Sequence, residues 1–177
     1  MKHFRIAFIG FLLVFFFQPV LAGDGRLAPF DESTTATWRE FRVVDGKKRE
    51  FLIELIYDYK NHVAIEQISD TNGGLITRKQ RPEIQLGPSQ EEIDVAVQLV
   101  SDDAILSEKI KSDTHLNGGF ILREGESSPC GSKSRCIQIL CFGQDPVTPI
   151  FHAVVDLVTE KVIYRDYHRF PEGEKKK

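Results

Sequence analysis

Every cysteine of the chain lies in one short segment, residues 128–141, which reads SPCGSKSRCIQILC. Cysteines in proteins bind zinc, take part in redox exchange or form disulfides. A zinc site requires paired C-x-x-C or histidine spacing, and this segment has neither. A thioredoxin-like C-x-x-C motif is also absent. We therefore interpret the segment as a disulfide-bonded hairpin with one additional thiol, rather than as a metal or redox centre.

The spacing of the three cysteines favours one pairing. Cys130 and Cys136 flank a polar, glycine-containing loop that is typical of a hairpin tip. Cys141 follows Cys136 on a predicted strand, and an extended strand separates these two positions by roughly 16 Å, whereas a disulfide needs Cα atoms within about 7 Å. We expect a Cys130–Cys136 disulfide, with Cys130–Cys141 as the competing pairing. Cys141 shares a strand face with Ile137 and Ile139, which predicts a buried free thiol.

The histidines offer one candidate metal site. In the last predicted hairpin, His152 lies opposite Tyr167 or His168, depending on the strand register. A direct His152–His168 pair, together with Asp166, would suit copper or nickel. The alternative is an ordinary polar cross-strand pair, and a shift of one residue would place the two histidines on opposite faces of the sheet.

No catalytic constellation is present in the sequence. The G-x-S-x-G, P-loop and H-E-x-x-H motifs are absent. The adjacent acidic pairs Glu91-Glu92 and Asp102-Asp103 lie on a predicted helix, where neighbouring side chains point in different directions and do not form an acid–base pair. The sequence therefore predicts no catalytic residue and no cofactor.

The N-terminus has the pattern of a secretory signal peptide. Lys2 and Arg5 precede an apolar run over residues 6–17, and a small-residue cleavage site follows at residues 20–22. The run is shorter than the roughly 20 residues of a membrane-spanning helix; an uncleaved anchor is the alternative. We predict cleavage after Ala22, export to the periplasm or the extracellular space, and no stable membrane anchor in the mature protein.

The charge of the mature chain argues against one class of partner. The full chain has a formal net charge of −3, and residues 1–22 contain two basic residues and no acidic residue, so the mature chain carries −5. Proteins that bind nucleic acid present basic surfaces, and we therefore exclude nucleic acid as a partner. The mature length of 155 residues suits one domain with its own core.

Strands are predicted on both sides of a single helix. Residues 23–37 lack periodicity and are interpreted as a flexible lead-in. Three antiparallel strands follow within residues 38–68, the first two joined by an Asp45-Gly46 turn. After the helix, strands are predicted at residues 119–123, 135–142, 150–157 and 161–167. This order predicts one α+β domain over residues 38–170, in which one antiparallel sheet packs on the helix, followed by a charged tail at residues 171–177.

The helix has a defined start. Ser89 is the predicted N-cap, and Glu92, three residues later, completes a capping box. Apolar residues then recur with helical spacing and predict one buried stripe, formed by Ile93, Ala96, Val97 and Val100. A second short helical piece is predicted over residues 104–112.

The second half of the chain resembles two known families. The segments RPEIQLGPSQEEIDVAVQLV (81–100) and FHAVVDLVTEKVIYRDY (151–167) are similar to the small N-terminal domains of copper amine oxidases. The VDL…KVI ending also resembles PepSY-type modules. Both resemblances, which cover residues 81–167, imply a cystatin-like fold with a helix laid across a curved antiparallel sheet. The amine oxidase catalytic domain, with its copper histidines and modified tyrosine, has no counterpart in this chain, so the resemblance implies a fold and no activity.

These observations favour an exported, non-enzymatic binding or inhibitor-like module. Such a module would present an open sheet face or an edge strand to a protein or peptide, and PepSY-type modules, by resemblance, imply binding or inhibition of secreted enzymes. One alternative is a small-ligand-binding protein or enzyme with a pocket between the helix and the sheet, lined by Phe41, Phe51, Phe120 and Phe151. Another alternative is a copper-binding accessory protein that uses His152 and His168.

Overall fold

The computed structural model describes residues 30–167. Within this range four strands precede one α-helix and four strands follow it. In chain order the elements are β1 (Glu32–Val44), β2 (Lys47–Asp58), β3 (Val63–Asp70), β4 (Leu75–Gln80), α1 (Gln90–Asp102), β5 (His115–Leu122), β6 (Cys136–Phe142), β7 (Pro149–Asp156) and β8 (Lys161–Tyr164). The fold class is therefore α+β, as the order of predicted strands and helix indicates.

The strands form two separate four-stranded sheets. Their orders are β1-β2-β3-β4 and β5-β6-β7-β8, and every neighbouring pair is antiparallel. The prediction of one sheet is wrong, because β4 and β5, which flank the helical segment, do not pair with each other. Each sheet is a meander, in which successive strands are neighbours and short connections suffice.

The first sheet is larger than the sequence predicts. Asp45 and Gly46 form the turn between β1 and β2 with φ angles of 53° and 73°, which is the type I′ geometry of a two-residue hairpin. β1 begins at Glu32, which pairs with Asp58, so residues 32–37 are strand rather than lead-in. A fourth strand, β4, extends the expected three-stranded meander. Residues 1–22, 23–29 and 171–177, which include the predicted signal peptide and tail, lie outside the described residues.

The helix packs on the second sheet. The Ser89 hydroxyl accepts from the Glu92 amide, and the Glu92 carboxylate accepts from the Ser89 amide, so both halves of the predicted capping box are present. Ala96 and Val100 are fully buried against the apolar face of the second sheet. The other buried members of this core are Leu106, Ile137, Ile139, Cys141, Phe151, Ala153, Val155 and Leu157.

Two smaller differences from prediction occur after α1. The expected second helical piece is a single 3₁₀ turn at Ser107–Lys109, because Asp103 ends α1 in an extended conformation and its carboxylate caps the following turn. The last strand ends at Tyr164 rather than at residue 167. In residues 30–167 no helix has the length and apolar character needed to cross a membrane.

Candidate functional site

The longer of the two edge strands of the first sheet is β1, which has 13 residues against 6 in β4. This strand pairs with β2 on one side; within residues 30–167 no strand pairs with its other side. A bulge between Thr34 and Ala36 interrupts the pairing with β2, and the register is regular from Ala36 to Val44. Natural sheets usually keep free edges short or cover them, because unpaired main-chain groups invite pairing with another chain.

The hairpin turn determines which peptide groups of β1 point outward. Val44 and Lys47 flank the two-residue turn and face each other, and such a closing pair exchanges both main-chain hydrogen bonds. Hydrogen-bonded and non-hydrogen-bonded pairs alternate along an antiparallel ladder. The N–H and C=O groups of every second residue therefore point away from β2. These residues are Thr37, Arg39, Phe41 and Val43.

Large apolar side chains accompany this free edge. Trp38 is 42% exposed, Phe41 58% and Val43 75%. Phe41 and Val43 are two residues apart and lie on the same face of the sheet, whereas Trp38 lies on the opposite face beside Ile53. A segment added to the edge of β1 would therefore find apolar contacts on both faces of the extended sheet.

The hairpin that carries the edge is locally basic. Residues 38–50 contain five Lys or Arg and three Asp or Glu, although the mature chain is acidic. Glu40 pairs with Arg42, and Glu50 with Arg39. The cations near the tip, Lys47, Lys48 and Arg49, form no ion pair with any carboxylate in residues 30–167. The Lys48 ammonium lies 4.4 Å from the centre of the Phe41 ring, a cation–π contact.

The two sheets meet at a buried ion pair that sequence reasoning missed. The Arg135 guanidinium donates to both carboxylate oxygens of Glu92, at 2.9 and 3.0 Å, and both side chains are fully buried. Tyr59, the residue after β2, donates its hydroxyl to the same carboxylate at 2.5 Å, and burial together with this contact raises the pKa of Tyr59. The predicted capping residue thus also joins the helix, the first sheet and β6. No local pattern identifies Arg135 as buried, because its partners are distant in sequence.

The cysteines are arranged as the sequence favours. Cys130 and Cys136 form a disulfide with Cα atoms 5.7 Å apart, and both residues are buried. The bond closes a short loop within the connection between β5 and β6. It does not span the base of the hairpin, where Leu122 faces Cys136. Cys141 is free and buried, in the core between α1 and the second sheet.

Cys141 is therefore expected to resist alkylation in the folded protein. Burial raises the pKa of its thiol above the usual range, so the thiolate that reacts with alkylating reagents is scarce and inaccessible. Intact mass after iodoacetamide treatment should show no adduct under native conditions and one adduct after denaturation without reductant. Labelling of the native protein at the rate of a free thiol would contradict this placement.

The candidate metal residues are only partly described. His152 lies beside Tyr167, with the two ring centres 5.4 Å apart and the Tyr167 amide bonded to the His152 carbonyl. This hydrogen bond places Tyr167, one of the two expected partners, beside His152. His168 lies outside the described residues, so its pairing with His152 and Asp166 stays a prediction. Within residues 30–167 no group of three His, Cys, Asp or Glu side chains is arranged to hold a metal ion.

The four phenylalanines expected to line one pocket do not meet. Phe51 and Phe151 are buried in two different apolar clusters, and Phe41 and Phe120 are exposed. Phe41 faces Glu50 across the hairpin, so Phe51, the next residue along β2, lies on the opposite face of the sheet. This prediction is wrong because strand parity and the division into two sheets separate the four rings. The space between α1 and the second sheet is filled by the core described above.

Compared with protein-family models and with curated proteins, the sequence has no significant match. The resemblance to amine oxidase N-terminal domains and PepSY-type modules therefore stays a prediction, and so does the cystatin-like form of the α+β fold.

Proposed function

We propose that the mature protein is an exported, non-enzymatic binding module that adds an extended segment of a protein partner to the edge of β1. The observation that carries the proposal is the row of outward peptide groups at Thr37, Arg39, Phe41 and Val43. In β-strand addition, main-chain hydrogen bonds supply affinity and alternate side chains supply specificity. Nine regular residues, from Ala36 to Val44, extend over roughly 30 Å, which is enough for a strand of ordinary length.

The chemistry of the edge favours an acidic and apolar partner. Phe41 and Val43 offer exposed apolar surface, and the unpaired cations at residues 47–49 lie at the end of the same hairpin. A partner strand that alternates acidic with β-branched residues complements both features. Because the cations are exposed, the affinity should fall as the salt concentration rises.

Two further features support export. The N-terminal pattern predicts a cleaved signal peptide, and the Cys130–Cys136 disulfide suits an oxidising compartment such as the periplasm or the extracellular space. An exported module that binds an extended segment would block that strand or loop of its partner. An inhibitor-like protein acts in the same way.

A peptide titration tests this proposal. The probe is a short peptide in which Asp or Glu alternates with Val, and the control peptide carries Lys in place of the acidic residues. Two-dimensional NMR of the full mature protein should show amide shifts along β1 with the acidic peptide and none with the basic one. Binding of both peptides with equal affinity, or of neither, would contradict the proposed partner chemistry.

Two matched variants separate edge pairing from nonspecific contact. Phe41→Glu places a negative charge against the acidic peptide and removes an apolar contact, so the affinity should fall by about tenfold or more. Phe120→Glu makes the same change at an exposed phenylalanine of β5 and should leave the affinity unchanged. Equal losses in the two variants would show that β1 is not the binding edge.

A further inference from the structure

A cleft of about 340 Å³ lies where the first sheet faces the disulfide-bonded loop. Three parts of the chain line it: the β2–β3 hairpin around its turn, the segment between β4 and α1, and the β5–β6 connection. The apolar walls come from Val63, Ala64, Pro82, Ile84 and Leu86. The volume falls within the usual range of small-molecule sites.

Buried polar atoms that make no hydrogen bond of normal geometry are found in this cleft. Tyr57 lines it and is 2% exposed. Its hydroxyl makes no hydrogen bond of normal geometry with a described residue, although the Arg123 side chain lies close enough to interact with it. The buried Nδ1 atom of His62, another lining residue, also makes no hydrogen bond with a described residue. Buried polar atoms in folded proteins are almost always paired, and each exception calls for an explanation. A bound group that accepts hydrogen bonds provides one.

The electrostatics of the cleft favour an anion. Arg123 lines it and donates to the Ser132 carbonyl, and it forms no ion pair with a carboxylate in residues 30–167. The other charged groups nearby are paired: Glu83 with Arg81, which also pairs with Glu66, and Arg135 with Glu92. Arg123 is therefore the lining cation that has no carboxylate partner, and the Tyr57 hydroxyl and the His62 ring are further polar groups beside it.

From this arrangement we infer that the cleft binds an organic carboxylate with a short apolar body. The Tyr57 hydroxyl and the Arg123 guanidinium donate to the carboxylate, and His62 contributes a third polar contact. One cation suits a monoanionic carboxylate better than a phosphate dianion, and the apolar walls require a hydrocarbon body that inorganic anions lack. The carboxylate belongs either to a free small acid or to the C-terminus of a peptide. This site does not involve β1, so a test that rejects one of the two proposals leaves the other unaffected.

Calorimetric titration with paired probes tests the inference. The first pair is 4-methylpentanoate and its amide, and the second is acetyl-alanyl-leucine with a free or an amidated C-terminus. Each carboxylate is expected to bind more tightly than its amide. If the free acid binds at least as well as the dipeptide, the ligand is a small acid; if the dipeptide alone binds, the ligand is a peptide C-terminus. Failure of both carboxylates to bind, or equal binding of the amides, overturns the inference.

Three variants assign the contacts. Tyr57→Phe and Arg123→Gln should each weaken carboxylate binding by about tenfold or more, because each removes a hydrogen bond to a charged group. Arg165→Gln, which changes an exposed arginine that does not line the cleft, should have no effect. Tyr57→Phe should also leave the thermal unfolding midpoint of the free protein unchanged or raise it, since the buried hydroxyl makes no hydrogen bond of normal geometry there. Unchanged affinity in Tyr57→Phe, with the fold intact, overturns the assignment.

Discussion

Replacing Arg135 with Met is expected to lower the free energy of unfolding by about 3–5 kcal/mol, the usual cost of removing one partner from a buried ion pair. The variant leaves the Glu92 carboxylate buried without its cation. It also removes the donors to the carbonyls of Leu86 and Gly87 and the guanidinium that lies 4.2 Å from the centre of the Tyr57 ring. Urea unfolding followed by circular dichroism measures this loss.

An exposed ion pair provides the matched control. Arg165 pairs with Asp103 at the surface, and Arg165→Met should cost no more than about 1 kcal/mol because solvent screens that pair. The double variant Glu92→Gln/Arg135→Met should cost less than the sum of its single variants, since neither then leaves an uncompensated charge. If Arg135→Met were no more destabilising than Arg165→Met, the buried junction would not hold the sheets together.

Loss of the disulfide should have the next largest effect. The variant Cys130→Ala/Cys136→Ala is expected to be about 2 kcal/mol less stable than the parent, because an open chain regains the entropy that closing so short a loop removes. Cys141→Ala is the control for the removal of a buried sulfur. Reductant should destabilise the parent and Cys141→Ala, and it should leave the double variant unchanged. A parent protein that unfolds at the same urea concentration with and without reductant would contradict a stabilising role of this bond.

Features encoded by neighbouring residues could be predicted from the sequence. The capping box of Ser89 and Glu92 needs residues three positions apart, and the Asp45-Gly46 turn needs only the residues that adopt positive φ. The distance along a strand excludes a Cys136–Cys141 bond and the polar loop favours Cys130–Cys136, but the sequence leaves Cys130–Cys141 open. Each of these rests on geometry within a few residues, which the sequence order determines directly.

Features that depend on pairing between residues distant in sequence could not be predicted in this way. The same eight strands could form one sheet or two. The two architectures differ only in whether β4 pairs with β5, which the sequence does not show. The tripeptide Asn-Gly-Gly occurs twice in the chain, at residues 72–74 and 117–119. The first copy forms the turn between β3 and β4, whereas the second lies within β5 at a bulge. The burial of Arg135 depends on a carboxylate 43 positions away.

The sequence predicts the kind of binding element, an edge strand, but not which strand provides it. An edge strand as the binding element follows from any open antiparallel sheet. The identity of that edge depends on strand order, and β1 is exposed because it is the first strand of its meander. The cleft that contains Tyr57, His62 and Arg123 has no sequence signature, since it forms only where the first sheet meets the loop of the second.

Amide hydrogen exchange along β1, with and without the acidic peptide, tests the proposed edge pairing most directly. The amides of Trp38, Glu40 and Arg42 point toward β2 and should be protected in the free protein. Those of Thr37, Arg39, Phe41 and Val43 should exchange rapidly in the free protein and become protected when the peptide binds. Peptide binding that leaves these four amides unprotected, or that protects amides of the second sheet instead, would contradict the account.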